Sequence, residues 1–184
     1  ARREQNVQDI PIAVSALSGD LLQSTGTSTI AQITQLQPTV QLISSNARNT
    51  STLIRGLGSN YGLTNDGLEL GVGIYVDDVY YARPGSATLD YFDIARVEIL
   101  RGPQGTLFGK NTTAGAINIV TRAPTFEPEG SVELSIGDYG FQQLRGTFSG
   151  PLIDNLLAGR LTIGAVDRDG FIDNVTIDRD QNSI

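Results

Sequence analysis

A strict alternation of apolar and polar residues in the last third of the chain constrains the fold more than any other feature. Val132, Leu134 and Ile136 fall on one side of an extended chain, and the residues between them are polar. Two further runs repeat the pattern, at residues 143–149 and 157–166. Turn-forming residues separate the three runs, at positions 137–140 and 150–155. The alternation therefore predicts an antiparallel meander of strands.

The same alternation is compatible with two classes of protein. Strands of about ten residues with one apolar face are typical of a transmembrane β-barrel. A soluble antiparallel sheet covered on one side gives the same pattern, and the pattern alone favours it, because alternation is a weak signal per strand. The chain also lacks a run of about 20 apolar residues, which a membrane helix needs. The alternation by itself leaves both classes open.

Composition excludes most kinds of catalytic chemistry. The 184 residues contain no Cys, His, Met or Trp, which removes thiol nucleophiles, Ser/His catalysis and zinc sites built on Cys or His. Asp77 and Asp78 are adjacent, so on a strand they would face opposite sides and could not form an acid/base pair. The net charge of −7 disfavours a nucleic-acid partner. We therefore expect no enzyme, no metal site, no cofactor and no nucleic acid.

Residues 1–123 have a mixed helical and extended pattern. Ser18 precedes a predicted helix start, and Thr29 with Gln32 is spaced to form a capping box ahead of a helix that ends before Pro38. Short β-rich runs follow at residues 52–55, 73–80, 96–101 and 116–121. This part of the chain is expected to be an α+β domain.

The densest motif is a glycine-rich segment at residues 101–121. It does not match the phosphate-binding pattern GxxxxGK[ST], because only three residues separate Gly105 from Gly109 and Asn111 follows Lys110. An acidic stretch at residues 167–180 does not match a calcium-binding loop either, since no Glu closes it. We expect the glycines to permit tight turns and close packing; they are Gly102, Gly105, Gly109 and Gly115.

Five motifs follow one another in order along the first 123 residues. They are DIPIAV at 9–14, LIRGLG at 53–58, GIYVDDV at 73–79, IARVEIL at 94–100 and RGPQGTLFGKNTTAGAINIVT at 101–121. In this order they resemble the plug domain of TonB-dependent outer-membrane receptors. The later meander resembles the opening strands of that family's barrel, including SGPL at 149–152 and RDGF at 168–171. The resemblance reverses the preference for a soluble sheet.

The resemblance implies an architecture. It predicts an α+β plug domain at residues 1–123, with a small mixed sheet and short helices. Residues 124–184 would then form about three antiparallel strands of a transmembrane β-barrel, at ~10 residues per strand. The complete family member has about 22 strands, so the chain is expected to be a fragment.

The resemblance also implies a function. We expect an active-transport receptor in the outer membrane of a Gram-negative bacterium, in contact with lipid, with the plug inside the barrel lumen. It would bind a scarce nutrient, such as an iron chelate, cobalamin or a saccharide, and import it with energy from the TonB complex. The TonB contact is expected upstream of Ala1. The alternative is a stand-alone soluble plug-like module that binds a small molecule.

Two sets of residues receive roles from these expectations. Arg55 and Arg101 match family arginines that pair with barrel carboxylates, so both are predicted to lock the plug to the barrel. Lys110 is predicted to carry a positive charge in the barrel lumen. Substrate contact is expected from plug loops, because loops on a rigid framework carry binding. The predicted substrate-contact residues are Ser59, Asn60, Tyr61, Tyr80, Tyr81 and Arg83.

Overall fold

A computed structural model describes residues 13–46, 49–58 and 69–169. The chain divides into two compact units, Ala1–Arg122 and Ala123–Ile184. Each unit has its own sheets, so each is described separately.

The first unit contains eight short strands and three short helices among its described residues. The strands are β1 Val14–Ser18, β2 Val40–Ser44, β3 Thr50–Ile54, β4 Leu57–Gly58, β5 Val72–Val76, β6 Val79–Tyr81, β7 Ile94–Arg101 and β8 Gly115–Thr121. The helices are α1 Gly19–Ser24, α2 Ile30–Leu36 and α3 Gly105–Phe108, with a 3₁₀ turn at Pro84–Thr88. No helix in the described ranges is both long enough and apolar enough to cross a membrane.

Two sheets organise this unit. The larger has five strands in the order β1-β7-β8-β5-β6, in which only β5 and β8 run parallel. The smaller is an antiparallel sheet in the order β2-β3-β4. The predicted small mixed sheet with short helices is confirmed.

Local sequence signals explain where the two longer helices begin. The Ser18 hydroxyl accepts a hydrogen bond from the backbone N–H of Leu21 and caps α1. At α2, the Thr29 side chain accepts from the N–H of Gln32, whose own side chain reaches back to the N–H of Thr29. The predicted capping box is therefore confirmed. Helix α2 ends at Leu36, before Pro38.

The apolar side chains of the first unit form two clusters. The main cluster joins α1 and α2 to one face of the five-stranded sheet. Its fully buried members include Leu22, Ile30, Ile33, Val72, Ile74, Val97, Ile99, Ile117 and Ile119. A smaller cluster lies on the opposite face of that sheet and contains Tyr75, Leu100 and Ala116, with Val14, Tyr80 and Phe108 packed against it.

The β-rich run at residues 73–80 is a hairpin, not the single strand that the sequence predicts. Asp77 and Asp78 form the turn, with φ angles of 49° and 65°. Two successive positive φ values are typical of a type I′ turn, which Asp tolerates better than most residues. The chain therefore reverses after Val76, and Tyr80 lies opposite Tyr75.

The second unit is the predicted three-stranded antiparallel meander. Its strands are β9 Glu129–Ile136, β10 Gln142–Ile153 and β11 Leu157–Asp167, in the order β11-β10-β9. The predicted turn at residues 150–155 begins too early, since β10 continues to Ile153 through an irregular register near Pro151. β9 pairs with β10 only as far as Ser149, so the missing N–H of Pro151 removes no bond to β9.

The two faces of the meander differ in polarity. Six apolar side chains on one face are between 62% and 81% exposed; they are Val132, Leu134, Ile136, Phe148, Leu161 and Ile163. The other face carries cross-strand ion pairs, from Arg145 to Glu133 at 3.6 Å and from Arg160 to Glu129 at 2.6 Å. The apolar side chains of the meander are therefore exposed, whereas charged side chains on its polar face pair with one another.

Candidate functional site

The two predicted lock arginines both lie at strand ends and both contact Thr39. Arg55 follows β3 in a turn, with a φ of 54° and an exposed side chain. Its backbone N–H donates to the carbonyl oxygen of Thr39 at 2.8 Å. Arg101 is the last residue of β7 and is half-buried. Its Nε donates to the Thr39 hydroxyl at 3.3 Å.

The Arg101 guanidinium has further partners inside the first unit. Its Nη2 donates to Gln37 Oε1 at 3.2 Å and to the hydroxyl of Ser15. All these acceptors are neutral, and in the described ranges no carboxylate forms an ion pair with either Arg101 or Arg55. The positive charges of both arginines are therefore not balanced by a described partner.

Half of the predicted substrate-contact residues lie on or beside the β5–β6 hairpin. Tyr80 is half-buried, and its ring packs against Tyr75 with 5.4 Å between centroids. Tyr81 and Arg83 are exposed. The other three predicted residues, Ser59, Asn60 and Tyr61, lie outside the described residues. The structure therefore gives a local environment to three of the six.

The glycine-rich segment is attached to this hairpin by side chains that sequence reasoning missed. The Tyr75 hydroxyl donates to the carbonyl oxygen of Phe108 at 2.7 Å, and the two rings meet edge to face at 4.8 Å. Asn111 Nδ2 donates to the Tyr80 hydroxyl at 2.9 Å. Burial raises the pKa of Tyr75, with a smaller contribution from Tyr80, so the Tyr75 phenol stays protonated as a donor.

Lys110 forms an ion pair with Glu69 on the surface of the first unit. The hydrogen bond from Lys110 lowers the pKa of Glu69, and the hydrogen bond to Glu69 raises the pKa of Lys110. Both groups are therefore held in their charged forms. The Lys110 ammonium already has an anionic partner, which fits the interpretation that it is not a phosphate ligand.

The four glycines of the segment differ in what the backbone requires. Gly115 has a φ of 153°, and a Cβ placed there would lie 2.3 Å from the carbonyl oxygen of Leu100 and 2.7 Å from Cδ1 of Ile54. Gly102 and Gly109 also have positive φ values, of 84° and 81°. Gly105 has neither restriction, since a Cβ there would meet open space. The turn and packing role has local support at three of the four positions.

A buried polar cluster on the five-stranded sheet also escaped sequence reasoning. Glu98 Oε1 accepts from Arg96 Nε at 2.8 Å, and Asn118 Nδ2 lies 3.3 Å from Asp78 Oδ1 and 3.5 Å from Glu98 Oε2. Both Glu98 and Asn118 are buried. The available signal was that Glu98 and Asn118 each stand between two apolar residues of a strand. This cluster ties the hairpin turn to the centre of the sheet.

Acidic groups in the described part of the chain do not gather into a metal site. No group of three or more His, Cys, Asp or Glu residues there is arranged to hold an ion. Asp77 instead accepts hydrogen bonds from the backbone N–H and the hydroxyl of Thr121, at 2.9 and 2.8 Å. The Asp77 carboxylate therefore fixes the hairpin turn to β8.

Comparison with known proteins identifies the domain. Residues 6–116 match the family model described as the TonB-dependent receptor plug domain. The chain is 31% identical to the pesticin receptor of Yersinia enterocolitica over 154 residues, which is 83% of this chain and 22% of the relative. It is 27% identical to a vitamin B12 transporter of Photobacterium profundum over 179 residues, which is 92% of this chain and 27% of the relative.

A solved structure shows the same fold. The ferric yersiniabactin uptake receptor of Yersinia pestis matches with a TM-score of 0.82 and 29% identity, over 92% of this chain and 26% of that one. The chain thus spans about a quarter of the length of the relatives it matches. The family-model match over residues 6–116 includes the β5–β6 hairpin and most of the glycine-rich segment described above, and it identifies the chain as a member of the TonB-dependent receptor plug domain family.

Proposed function

We propose that this chain belongs to an outer-membrane receptor of a Gram-negative bacterium that imports a scarce nutrient through a plugged β-barrel, with energy from the TonB complex. Residues 1–123 are the plug, and residues 124–184 supply the first strands of the barrel. The observation that carries this proposal is the open apolar face of the meander, which follows directly on a family plug domain.

The exposure of the apolar face of the meander supports a membrane location. A soluble sheet buries its apolar face, whereas the strands of a membrane barrel turn that face to lipid and the polar face to the lumen. Here Val132, Leu134 and Leu161 are among the exposed residues. Gly130 and Gly146 leave a shallow depression on this face, bordered by apolar side chains such as Phe148 and Ile163.

The charged state of Arg55 and Arg101 supports their role as the lock between plug and barrel. An arginine in a wet lumen stays charged and forms bidentate hydrogen bonds with carboxylates. Neither residue has a carboxylate partner in the parts of the chain that the structure describes, so each is available to an acid of the barrel wall. The partner acids are proposed to lie on the strands of the barrel wall.

Substrate recognition is proposed for the plug loops. Tyr81 and Arg83 are exposed, and Tyr80 presents a hydroxyl whose oxygen already accepts from Asn111. Its proton is then free to be donated to a ligand. Ser59, Asn60 and Tyr61 complete the proposed set. Two of the relatives are named for vitamin B12 and for ferric yersiniabactin, so an iron chelate, a cobalamin or a similar nutrient is the proposed substrate class.

The proposed mechanism contains no covalent step, and the protein is not proposed to be an enzyme. A small-molecule substrate binds the outward loops of the plug and alters the exposure of the N-terminal segment. The TonB complex then engages that segment by strand addition and pulls. The pull rearranges the plug and opens a path through the barrel.

Fractionation of cells that express the full-length protein tests this proposal. The expected result is an outer-membrane species whose mobility in a denaturing gel changes on boiling, as folded barrels unfold only when heated. A plugged barrel of about 22 strands also requires a protein several times the length of this chain. A soluble species that does not change on heating would contradict the proposal and favour a stand-alone binding module.

A further inference from the structure

Strand β1 is an edge strand of its sheet. Among the described strands it pairs with β7 and with no other. It has five residues, and Leu17 is the one side chain of the strand that is buried. Ala13 comes immediately before β1, and its carbonyl oxygen accepts a hydrogen bond from the backbone N–H of Arg101 at 3.0 Å. This end of β1 is therefore held by its ladder to β7, by the packing of Val14 and by the bond between Arg101 and Ala13.

Arg101 also holds the same end of β1 through its side chain. Nη2 donates to the hydroxyl of Ser15, which is the second residue of β1. Nη2 and Nε donate as well to Gln37 and Thr39, in the connection between α2 and β2. The guanidinium thus ties β1 to the connection that leads into the other sheet.

One nitrogen of the guanidinium is still available as a donor. Among the described residues, Nε donates to one side chain and Nη2 to two, and Nη1 donates to none. An arginine carries five N–H donors, so Nη1 alone can donate to a carboxylate while Nε and Nη2 keep their partners. One side chain can therefore serve two partners at once.

We infer that Arg101 is a positioning residue that holds β1 in the plug and connects that strand to the lock. Its hydrogen bonds to Ala13 and Ser15 are called the clasp below. Among the contacts of the described residues, a pull applied to the chain before Val14 reaches the Ala13–Arg101 and Ser15–Arg101 bonds first. Loss of the barrel carboxylate would free the guanidinium to move, and β1 would lose its side-chain bonds with it. The connection to the lock depends on the proposed function, whereas the clasp stands on the contacts alone.

Hydrogen exchange of the full-length protein in detergent tests the clasp. In Arg101→Ala, peptides that cover Val14–Ser18 should exchange at least about tenfold faster, since a hydrogen bond to a charged group is lost. Arg101→Lys should accelerate the same peptides, because a single ammonium cannot reproduce the planar fork that reaches all three side chains. Peptides of β8 should exchange as in the wild type.

Arg55→Ala is the matched control, because it removes the other proposed lock arginine without touching β1. It should leave exchange at β1 unchanged. Ser15→Ala removes one acceptor and keeps Arg101, so it should accelerate β1 by about threefold or more. This milder variant keeps the test decisive if Arg101→Ala does not fold.

Three results would overturn the clasp. One is unchanged exchange at β1 in Arg101→Lys or in Ser15→Ala. Another is equal acceleration in Arg55→Ala, which would assign the effect to the lock. The third is an acceleration that spreads equally to β8, which would indicate general loss of stability. None of these readouts needs membrane insertion or transport, so a failed clasp is distinguishable from a failed receptor.

Discussion

Asn111 donates a hydrogen bond to the hydroxyl oxygen of Tyr80 at 2.9 Å, and this bond joins the glycine-rich segment to the β5–β6 hairpin. The Tyr75 hydroxyl makes a second connection, to the carbonyl oxygen of Phe108. The proposed substrate residue Tyr80 is therefore held by the segment that begins at Arg101. A displacement of the hairpin would be transmitted to that segment.

The Tyr75 bond should contribute measurably to plug stability. We expect Tyr75→Phe to lower the free energy of unfolding by about 1 kcal/mol, since the Phe108 carbonyl loses its donor. Tyr75→Ala should cost about 3 kcal/mol or more, because the ring contacts with Tyr80 and Phe108 are lost too. Denaturant unfolding of the plug in the full-length receptor measures both. Tyr81→Phe, at an exposed tyrosine on the same hairpin, is the control and should have little effect.

Two glycines of the same segment should respond differently to substitution by alanine. In Gly115→Ala the new Cβ would collide with the backbone of Leu100 and would require a strained φ, so we expect a loss of about 2 kcal/mol or more. Gly105→Ala meets open space at the start of α3 and should be neutral or slightly stabilising. Equal losses in the two variants, measured by thermal unfolding, would be inconsistent with these packing differences.

Alkaline pH should destabilise the plug through Tyr91. Burial raises the pKa of Tyr91 to about 12, from an ordinary value near 10, with a smaller contribution from Tyr81. The folded state thus favours the neutral phenol. This contribution is fully present below about pH 10 and is lost as the pH rises towards 12. It amounts to roughly 3 kcal/mol at full titration.

The variant Tyr91→Phe isolates that contribution. Its unfolding free energy should decline less steeply than that of the wild type between about pH 10 and 12, the window set by the ordinary and the raised pKa. The hydroxyl also donates to the carbonyl oxygen of Ser86 at 2.6 Å, so the variant should be less stable at neutral pH as well. Parallel curves for the two proteins would show that Tyr91 does not titrate in this way.

The proposed lock should control leakage through the barrel. Replacing Arg55 and Arg101 together by alanine in the full-length receptor should loosen the plug and admit small solutes. Conductance across a planar bilayer, or entry of a small antibiotic into cells, measures the leak. Lysine at the same positions keeps the charge and should leak less than alanine. A channel as tight as the wild type in the alanine variant would remove the lock assignment.

Sequence predicted the elements whose signals are local. The capping box of Thr29 and Gln32 and the cap at Ser18 act within four residues, and the alternation along β9 to β11 is a property of each strand by itself. The turn at Asp77 and Asp78 was missed because no glycine marks it and the flanking residues all favour strands. The early turn prediction near Pro151 failed because β9 pairs only as far as Ser149, and β10 continues past the proline beside β11 through an irregular register.

Long-range contacts had no sequence signal. Arg101 reaches Ser15, Gln37 and Thr39 across 86, 64 and 62 positions of the chain. Such partners are brought together by the order of strands in the sheet, and no spacing rule gives that order. Arg101 could be singled out from its motif alone, whereas its clasp on β1 required the structure.

Accessibility of the meander measures the central claim most directly. These 184 residues contain no cysteine, so single cysteines can be introduced along β9 of a full-length protein whose other cysteines are replaced, and labelled with a spin probe in bilayers. We expect probes at positions 132 and 134 to be reached by oxygen from the lipid, and probes at 133 and 135 to be reached by a water-soluble relaxing agent. Access by the aqueous reagent to both sets, with no alternation, would contradict the membrane-barrel account.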